Sequence, residues 1–392
     1  MTLHRNLLLC LLPAIFLLGG CATYDSLMGN QSEEQSTDEQ GVVQAIASES
    51  AIQTAAELQT VWGVDVDHRR PRSPYGFSRP TLAGDLIVLP GQDRYVHIYD
   101  MQGSELNRVP LEATSDSEGL ALTDKHVVVG DAQGLLYGID IGSGSILWQR
   151  QLSSVMLGHP VPVGDDMLVQ TGDNSIYRIS AKGEKLWSFS SAQSGLSMHI
   201  SPSPLVSGDV CYAIMSNGDT VALRSDSGDL LWRRQLLLTN DAVVLSELKT
   251  PLADPILAGD VLLVSFYQGD LIALSAMDGQ QLWQRKLSLK STPLEYQGRL
   301  FVATATHAVL ELDPANGSTL WKRDLDAGEL VGPVLARGKL ITADDQGRVF
   351  ALSLDGQVTG QTTLPGRVDR SPVAASGGVL LRNNLGGLYL VR

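Results

Sequence analysis

The chain has 392 residues, with 43 acidic and 29 basic side chains, a net charge of −14 and three cysteines. That charge balance argues against a nucleic-acid surface and against adhesion to an anionic membrane, both of which need clustered cations. The cysteines, taken by position below, leave no disulfide framework.

The first twenty residues look like a targeting segment. His4 and Arg5 are followed by an apolar run over residues 7–18, too short to span a bilayer and suited to the core of a signal peptide. Leu18-Gly19-Gly20-Cys21 resembles a bacterial lipobox, whose cysteine is diacylated and becomes the new N-terminus; the plain alternative is an ordinary signal peptide with a chance cysteine. Ala22 after Cys21 resembles lipoproteins sent on to the outer membrane, and several acyl chains would make a stable anchor. Once Arg5 leaves with the signal, the formal charge falls to −15. Residues 22–57 hold seven acids and no Lys or Arg, and they read as a solvated tether following the lipidated Cys21. Its r.m.s. span would be roughly 30–35 Å, and a weak helix is expected over residues 42–58. Cys10 departs with the signal and Cys21 is taken by the lipid. Cys211, in Val210-Cys211-Tyr212-Ala213, is expected to be a small buried hydrophobe.

From residue 58 to 392 the composition does not shift, and the chain repeats itself. The word Gly-x-x-Leu-Trp occurs at residues 144–148, 183–187, 228–232, 279–283 and 317–321. Its glycine suits the positive-φ position of a tight turn, with a strand following. Adjacent Leu and Trp point to opposite faces of a strand, so both faces of each sheet are expected to be covered. A second turn recurs at Asp85, Asp124, Asp165, Asp209, Asp260, Arg299, Lys339 and Gly378, in steps of 39, 41, 44, 51, 39, 40 and 39 residues. Eight units of four short strands predict an all-β fold, an eight-bladed β-propeller of four-stranded antiparallel blades. The last unit ends at Arg392 without a fourth strand, and the missing Trp strand stands at Thr60-Val61-Trp62-Gly63-Val64-Asp65-Val66. This segment is expected to complete the eighth blade and so close the ring. Trp62, Trp148, Trp187, Trp232, Trp283 and Trp321 all receive structural roles, leaving no indole for a ligand cage.

No catalytic, cofactor or metal pattern emerges. Histidines 4, 68, 97, 126, 159, 199 and 307 are scattered, and H-E-x-x-H, C-x-x-C, phosphate-loop and G-x-S-x-G patterns are missing. Asn316-Gly317-Ser318 matches a glycosylation sequon but falls on a predicted turn. The stretched part of the period is more informative. The 44- and 51-residue steps each contain a long connection after a Trp strand, residues 190–200 and 237–251. Insertions in repeat proteins map to loops, where binding groups concentrate. Both connections carry apolar residues, which either tuck back onto the blades or form a shared partner surface on blades four and five.

These repeats resemble the PQQ-type propeller repeat, and the lipobox, tether and eight closed repeats together resemble the BamB family of outer-membrane assembly lipoproteins. The resemblance covers essentially the whole chain. It implies a non-enzymatic scaffold without a cofactor, on the periplasmic face of the outer membrane, serving the machine that inserts β-barrel proteins. In that family a Leu-Ser-Leu-Arg stretch and a Leu-Ser-Asp-x-Asp stretch contact a POTRA domain of BamA, the barrel subunit. Leu196-Ser197-Met198-His199 is similar to the first, and Leu245-Ser246-Glu247-Leu248-Lys249 to the second. The resemblance thus implies partner-binding roles for Leu196, Met198, His199, Leu245, Glu247 and Lys249, and unfolded outer-membrane proteins as further partners. The apolar anchors are kept while the charges differ, which alters the electrostatics of docking. Other readings are a propeller scaffolding a different envelope complex, one binding a cell-wall sugar, and a PQQ-dependent dehydrogenase with a Ca²⁺ site.

Overall fold

Two turns in each repeat require backbone that glycine adopts most easily. In the fifth repeat, Gly259 (φ 62°) and Gly279 (φ 70°) hold the left-handed conformation, as does the hairpin residue Gln268 (φ 56°) between them. They fold Ile256–Ala258, Val261–Ser265, Leu271–Ser275 and Gln281–Arg285 into an antiparallel sheet. The computed structural model describes residues 56–66, 78–115, 117–192, 202–237 and 249–392. Among them the pattern recurs as eight sheets, an eight-bladed β-propeller. Blades 1 to 7 span residues 81–110, 120–151, 161–190, 205–235, 256–285, 294–324 and 330–363 in turn. Blade 8 joins Val373–Ala375, Gly378–Arg382 and Gly387–Val391 to the N-terminal strand Thr60–Asp65, as the sequence predicts.

The core is divided rather than central. Eight clusters of buried apolar side chains lie between successive blades, each drawing on both. One unites Tyr212, Ile214 and Trp232 of blade 4 with Leu262, Val264 and Ile272 of blade 5. Second and third strands are therefore buried on both faces, which explains why they read as unbroken apolar runs. Cys211 is fully buried in the layer between blades 3 and 4, and burial pushes its thiol up to about 12. As expected, it is a core residue.

Each indole ties its blade to the next. Nε1 of Trp62, Trp148, Trp187, Trp232, Trp283 and Trp321 donates to a backbone carbonyl of the following blade at 2.8–3.2 Å. The ring lies against that blade's turn glycine: Trp62 on Gly103, Trp148 on Gly183, Trp187 on Gly228, Trp232 on Gly279, Trp283 on Gly317 and Trp321 on Gly356. A Cβ on any of these glycines would come within 2.5–2.9 Å of the indole. The glycine thus serves twice, once for its positive φ and once for the close approach. In blade 1, Asn107 stands at the Trp position and meets Gly144. In blade 7, Gly360 stands there.

The leucine of the repeated word behaves differently from the expectation. A register shift in the outer strand skips one residue, so Trp232 pairs with Ala222 and Leu230 with Leu223, leaving Leu231 unpaired. The same bulge skips Val61, Leu106, Leu147, Leu186, Leu282, Leu320 and Thr359. Apart from Thr359, these side chains are 45–57% exposed. Strict alternation would have buried one of each Leu-Trp pair on either face, but the bulge turns the leucine outward. Only the Trp face of the outer strand is covered. The bulges also interrupt the eight outer edges, which otherwise offer unpaired backbone to other chains.

Closure uses more of the N-terminus than the one strand. Ala56–Glu57 adds to the outer edge of blade 7 as a short parallel fifth strand, with Ala56 opposite Gly360. Leu58 N–H donates to Gln361, Gln59 exchanges two bonds with Arg392, and the chain then enters blade 8. The end of the expected helix over residues 42–58 is therefore extended: the unpaired edge of blade 7 offers hydrogen bonds that an isolated helical turn cannot match. Residues 1–55, Cys21 among them, lie outside the described residues.

The bulge assignment separates two neighbours sharply. Trp232→Ala should cost about 3–5 kcal/mol, the range for truncating a buried Trp. Leu231→Ala should change stability by less than ~0.5 kcal/mol. Urea denaturation of both variants checks this, and equal losses would contradict the outward-facing leucine.

Candidate partner-binding face and the polar ring on the axis

The two long connections leave the outer strands of blades 3 and 4 and enter the inner strands of blades 4 and 5. Their described stems are fastened to hairpins at the same end of the blades. Ala192 O accepts Nδ2–H bonds from Asn174 at 2.8 Å and Asn217 at 2.9 Å, one from the hairpin of blade 3 and one from that of blade 4. Ser191 Oγ bonds Asp219, which also holds Arg233. At the second stem Thr250 exchanges backbone bonds with Tyr267 in the hairpin of blade 5. Both connections thus spring from one face, over three consecutive hairpins.

Leu196, Met198, His199, Leu245 and Glu247 lie outside the described residues. Lys249 is described and 39% exposed; its Nζ is 3.7 Å from Asp270 Oδ2, and its stem lies along Gly269. Beyond it the face is built from polar contacts. Glu329 accepts from Tyr267 Oη at 2.9 Å and from Lys290 Nζ at 2.7 Å. Burial works against the Glu329 charge, but these two bonds hold its carboxyl below the ordinary range.

At this end the axis carries a ring of side chains that the sequence reading did not single out. They come from the residues just before each inner strand. Arg79 Nε donates to both oxygens of Glu118 at 2.9 and 2.8 Å. Glu118 Oε2 is 3.6 Å from His159 Nδ1, and the same nitrogen is 2.7 Å from Ser203 Oγ. Ser203 N–H donates to Asp254 at 2.6 Å, and Asp254 N–H to Thr292 Oγ1 at 3.0 Å. Six successive blades are linked in this way around a cavity of about 50 Å³, which Lys290, Asp369 and Arg370 also line. Burial would raise the Glu118 carboxyl, yet Arg79, with help from His159 and Arg370, brings it to about 2. Arg79 is held above its ordinary value by Glu118 in return.

The Ser203, His159 and Glu118 grouping is not a nucleophile relay. Hydroxyl and carboxylate both address Nδ1, whereas a relay needs them on opposite ring nitrogens. A signal for the ring does exist in the sequence: Arg79-Pro80, His159-Pro160, Ser203-Pro204, Asp254-Pro255 and Thr292-Pro293 are one repeat position. Chemistry that varies at a fixed place in the repeat marks the axis, and it becomes visible only when the units are aligned on their prolines.

The sign of the pH dependence follows from the lowered Glu118 value. The pair stabilises the fold fully above the unfolded carboxyl value, near 4.5, and that contribution is lost as pH falls towards 2. Its size is roughly 3 kcal/mol. Glu118→Gln should be destabilised at pH 7, leaving Arg79 without its partner, and the gap to the parent protein should narrow between about pH 4.5 and 2. Denaturation at a series of pH values measures this; a constant gap would mean that the carboxylate contributes nothing in its charged form.

Comparison with known proteins places this geometry. A family model described as outer membrane protein assembly factor BamB matches residues 92–323 and 305–391. Outer membrane protein assembly factor BamB of Yersinia pestis is 23% identical over 400 residues, covering 98% of each chain. That of Escherichia coli K12 is 24% identical over 405 residues, covering 99% of each. Among solved structures, BamB from Moraxella catarrhalis superposes with a TM-score of 0.73 at 17% identity, over 86% of this chain and 99% of that one. Quinohemoprotein alcohol dehydrogenase from Comamonas testosteroni reaches 0.66 at 12% identity, over 86% and 76%, a likeness of fold alone. With the family model spanning the repeats almost from end to end, the chain belongs to the BamB family, whose members are outer membrane protein assembly factors rather than enzymes.

Proposed function

We propose that this chain is a scaffold subunit of the outer-membrane β-barrel assembly machine, held by a lipid on Cys21 at the periplasmic face of the outer membrane. It binds the POTRA domains of a BamA-like barrel protein and thereby assists the folding and insertion of β-barrel clients, by binding rather than turnover. Residues 1–20 act as the signal and residues 21–57 as anchor and tether, with the propeller beginning at about residue 58.

The observation that carries this reading is the pair of stretched connections. Their stems stand side by side on one face, over the hairpins of blades 3, 4 and 5. Residues offered there reach one partner together, as a compact hot-spot cluster requires. Leu196, Met198 and His199 belong to the first connection, and Leu245, Glu247 and Lys249 to the second. Lys249, paired loosely with Asp270, presents a nearly neutralised edge to the partner. The chain enters the propeller at the seam of blades 7 and 8, across the ring from these connections, so the anchor does not compete with the partner for space.

The test is a mild-detergent pull-down of the tagged lipoprotein from its own envelope, with partners identified by mass spectrometry. A POTRA-bearing barrel protein should be recovered, and Leu196→Asp with Leu245→Asp should abolish its capture while the thermal midpoint stays unchanged. Capture of a different envelope complex, or undiminished capture by the double variant, would overturn the assignment.

A further inference from the structure

The exception to the Trp rule has left a cleft. Six seams of the ring are closed by an indole and one by Asn107, whereas Gly360 occupies that position in blade 7. Blade 8 has no glycine turn to receive an indole, because its outer strand comes from the N-terminus. Leu58 packs into part of the seam. Beside it remains a cavity of about 380 Å³, on the face opposite the long connections. Its floor is apolar, formed by Ile341, Val379 and Val391, and Arg337, Lys339 and Arg392 stand around it. Among the described residues no acidic side chain lines it, and these three cations form no salt bridge. In a chain of net charge −14, three basic side chains around an apolar slot that no acidic side chain lines, among the described residues, are a local reversal of sign.

The geometry points to this cleft as a binding site for a peptide segment that sets an aromatic side chain beside carboxylates. The aromatic ring takes the space that indoles fill at the other seams, and the floor supplies the same kind of apolar contact. The carboxylates meet the guanidinium and ammonium groups at the rim, which supply charge-assisted hydrogen bonds and steer the approach. Chain ends and strands of unfolded proteins present such sequences, so the site is suited to a client segment and lies apart from the face proposed for the POTRA partner. The description of the segment as a client's rests on the proposed function; the binding chemistry does not.

The experiment titrates the full-length mature protein into the peptide acetyl-Glu-Trp-Glu-Gly-Gly-Lys-amide, labelled with fluorescein on its lysine, and follows anisotropy at low salt. Binding should weaken by about tenfold or more, equivalent to 1.4 kcal/mol, when Ala replaces Trp in the peptide or Lys replaces Glu. Arg337→Glu, on an exposed turn, with Lys339→Glu, half-buried at the start of the next strand, should cause a comparable loss. Gly360→Trp, which returns the repeat's indole to the seam, should abolish binding; if that variant does not fold, the double charge reversal decides. Equal affinity for the Trp and Ala peptides, or no effect of the charge reversal, overturns the site. The competing occupant is the chain's own acidic segment, which precedes the strand Ala56–Glu57 in sequence. Replacing its six acids from Asp25 to Glu49 by Ser should leave the peptide affinity unchanged, and a tenfold rise would assign the cleft to that segment instead.

Discussion

The contact between an indole and the next blade's turn glycine is the constraint from which most of this structure follows. It demands a residue without a side chain at the turn, because a Cβ would strike the ring. It also demands a carbonyl within reach of Nε1, which fixes how far one blade rotates against its neighbour. Repeated at six of the eight seams, this contact gives successive blades the same relation, and the ring closes on eight. Stability is consequently distributed over seams. Loss of one indole weakens the one layer in which it is packed.

The axis adds a second, electrostatic set of links between the same blades. Arg79, Glu118, His159, Ser203, Asp254 and Thr292 stand where eight inner strands converge and where apolar side chains would leave backbone polar groups without partners. A cavity too small for a drug-sized ligand is the natural result of filling that space with polar side chains from successive blades. The catalytic look of Ser203 and His159 dissolves once the ring nitrogen is specified.

Much of the fold was legible because a repeat states its own period. Gly279 and Trp283 announce the turn and the outer strand, and the isolated Trp62 announces how the ring closes. What escaped was of three kinds. The outward turn of Leu231 depends on a one-residue register shift, which leaves no trace in composition since Leu-Trp reads the same with or without it. Gly360 and Asn107 escaped because the word was recognised by its tryptophans, so the seams that break the rule were invisible. The axial ring needed units aligned on their prolines, since its members are 38–51 positions apart in the chain. For the candidate docking residues, chain order fixes which blades they join, and Lys249 alone is set in described structure.

The pairing of Trp62 with Leu390 also dictates an order of events during synthesis. The strand Thr60–Asp65 precedes blades 1 to 7 in the chain and its partner Gly387–Val391 follows them, so blade 8 is the last to assemble however early the others form. Contacts of such high sequence separation are slow to form. Until they form, Thr60–Asp65 waits as a single strand and the layer between blades 8 and 1 lacks half its lid. A growing chain therefore keeps an open ring until Gly387–Val391 has been made. Truncation of even five residues at the C-terminal end would leave the first strand permanently without its neighbour.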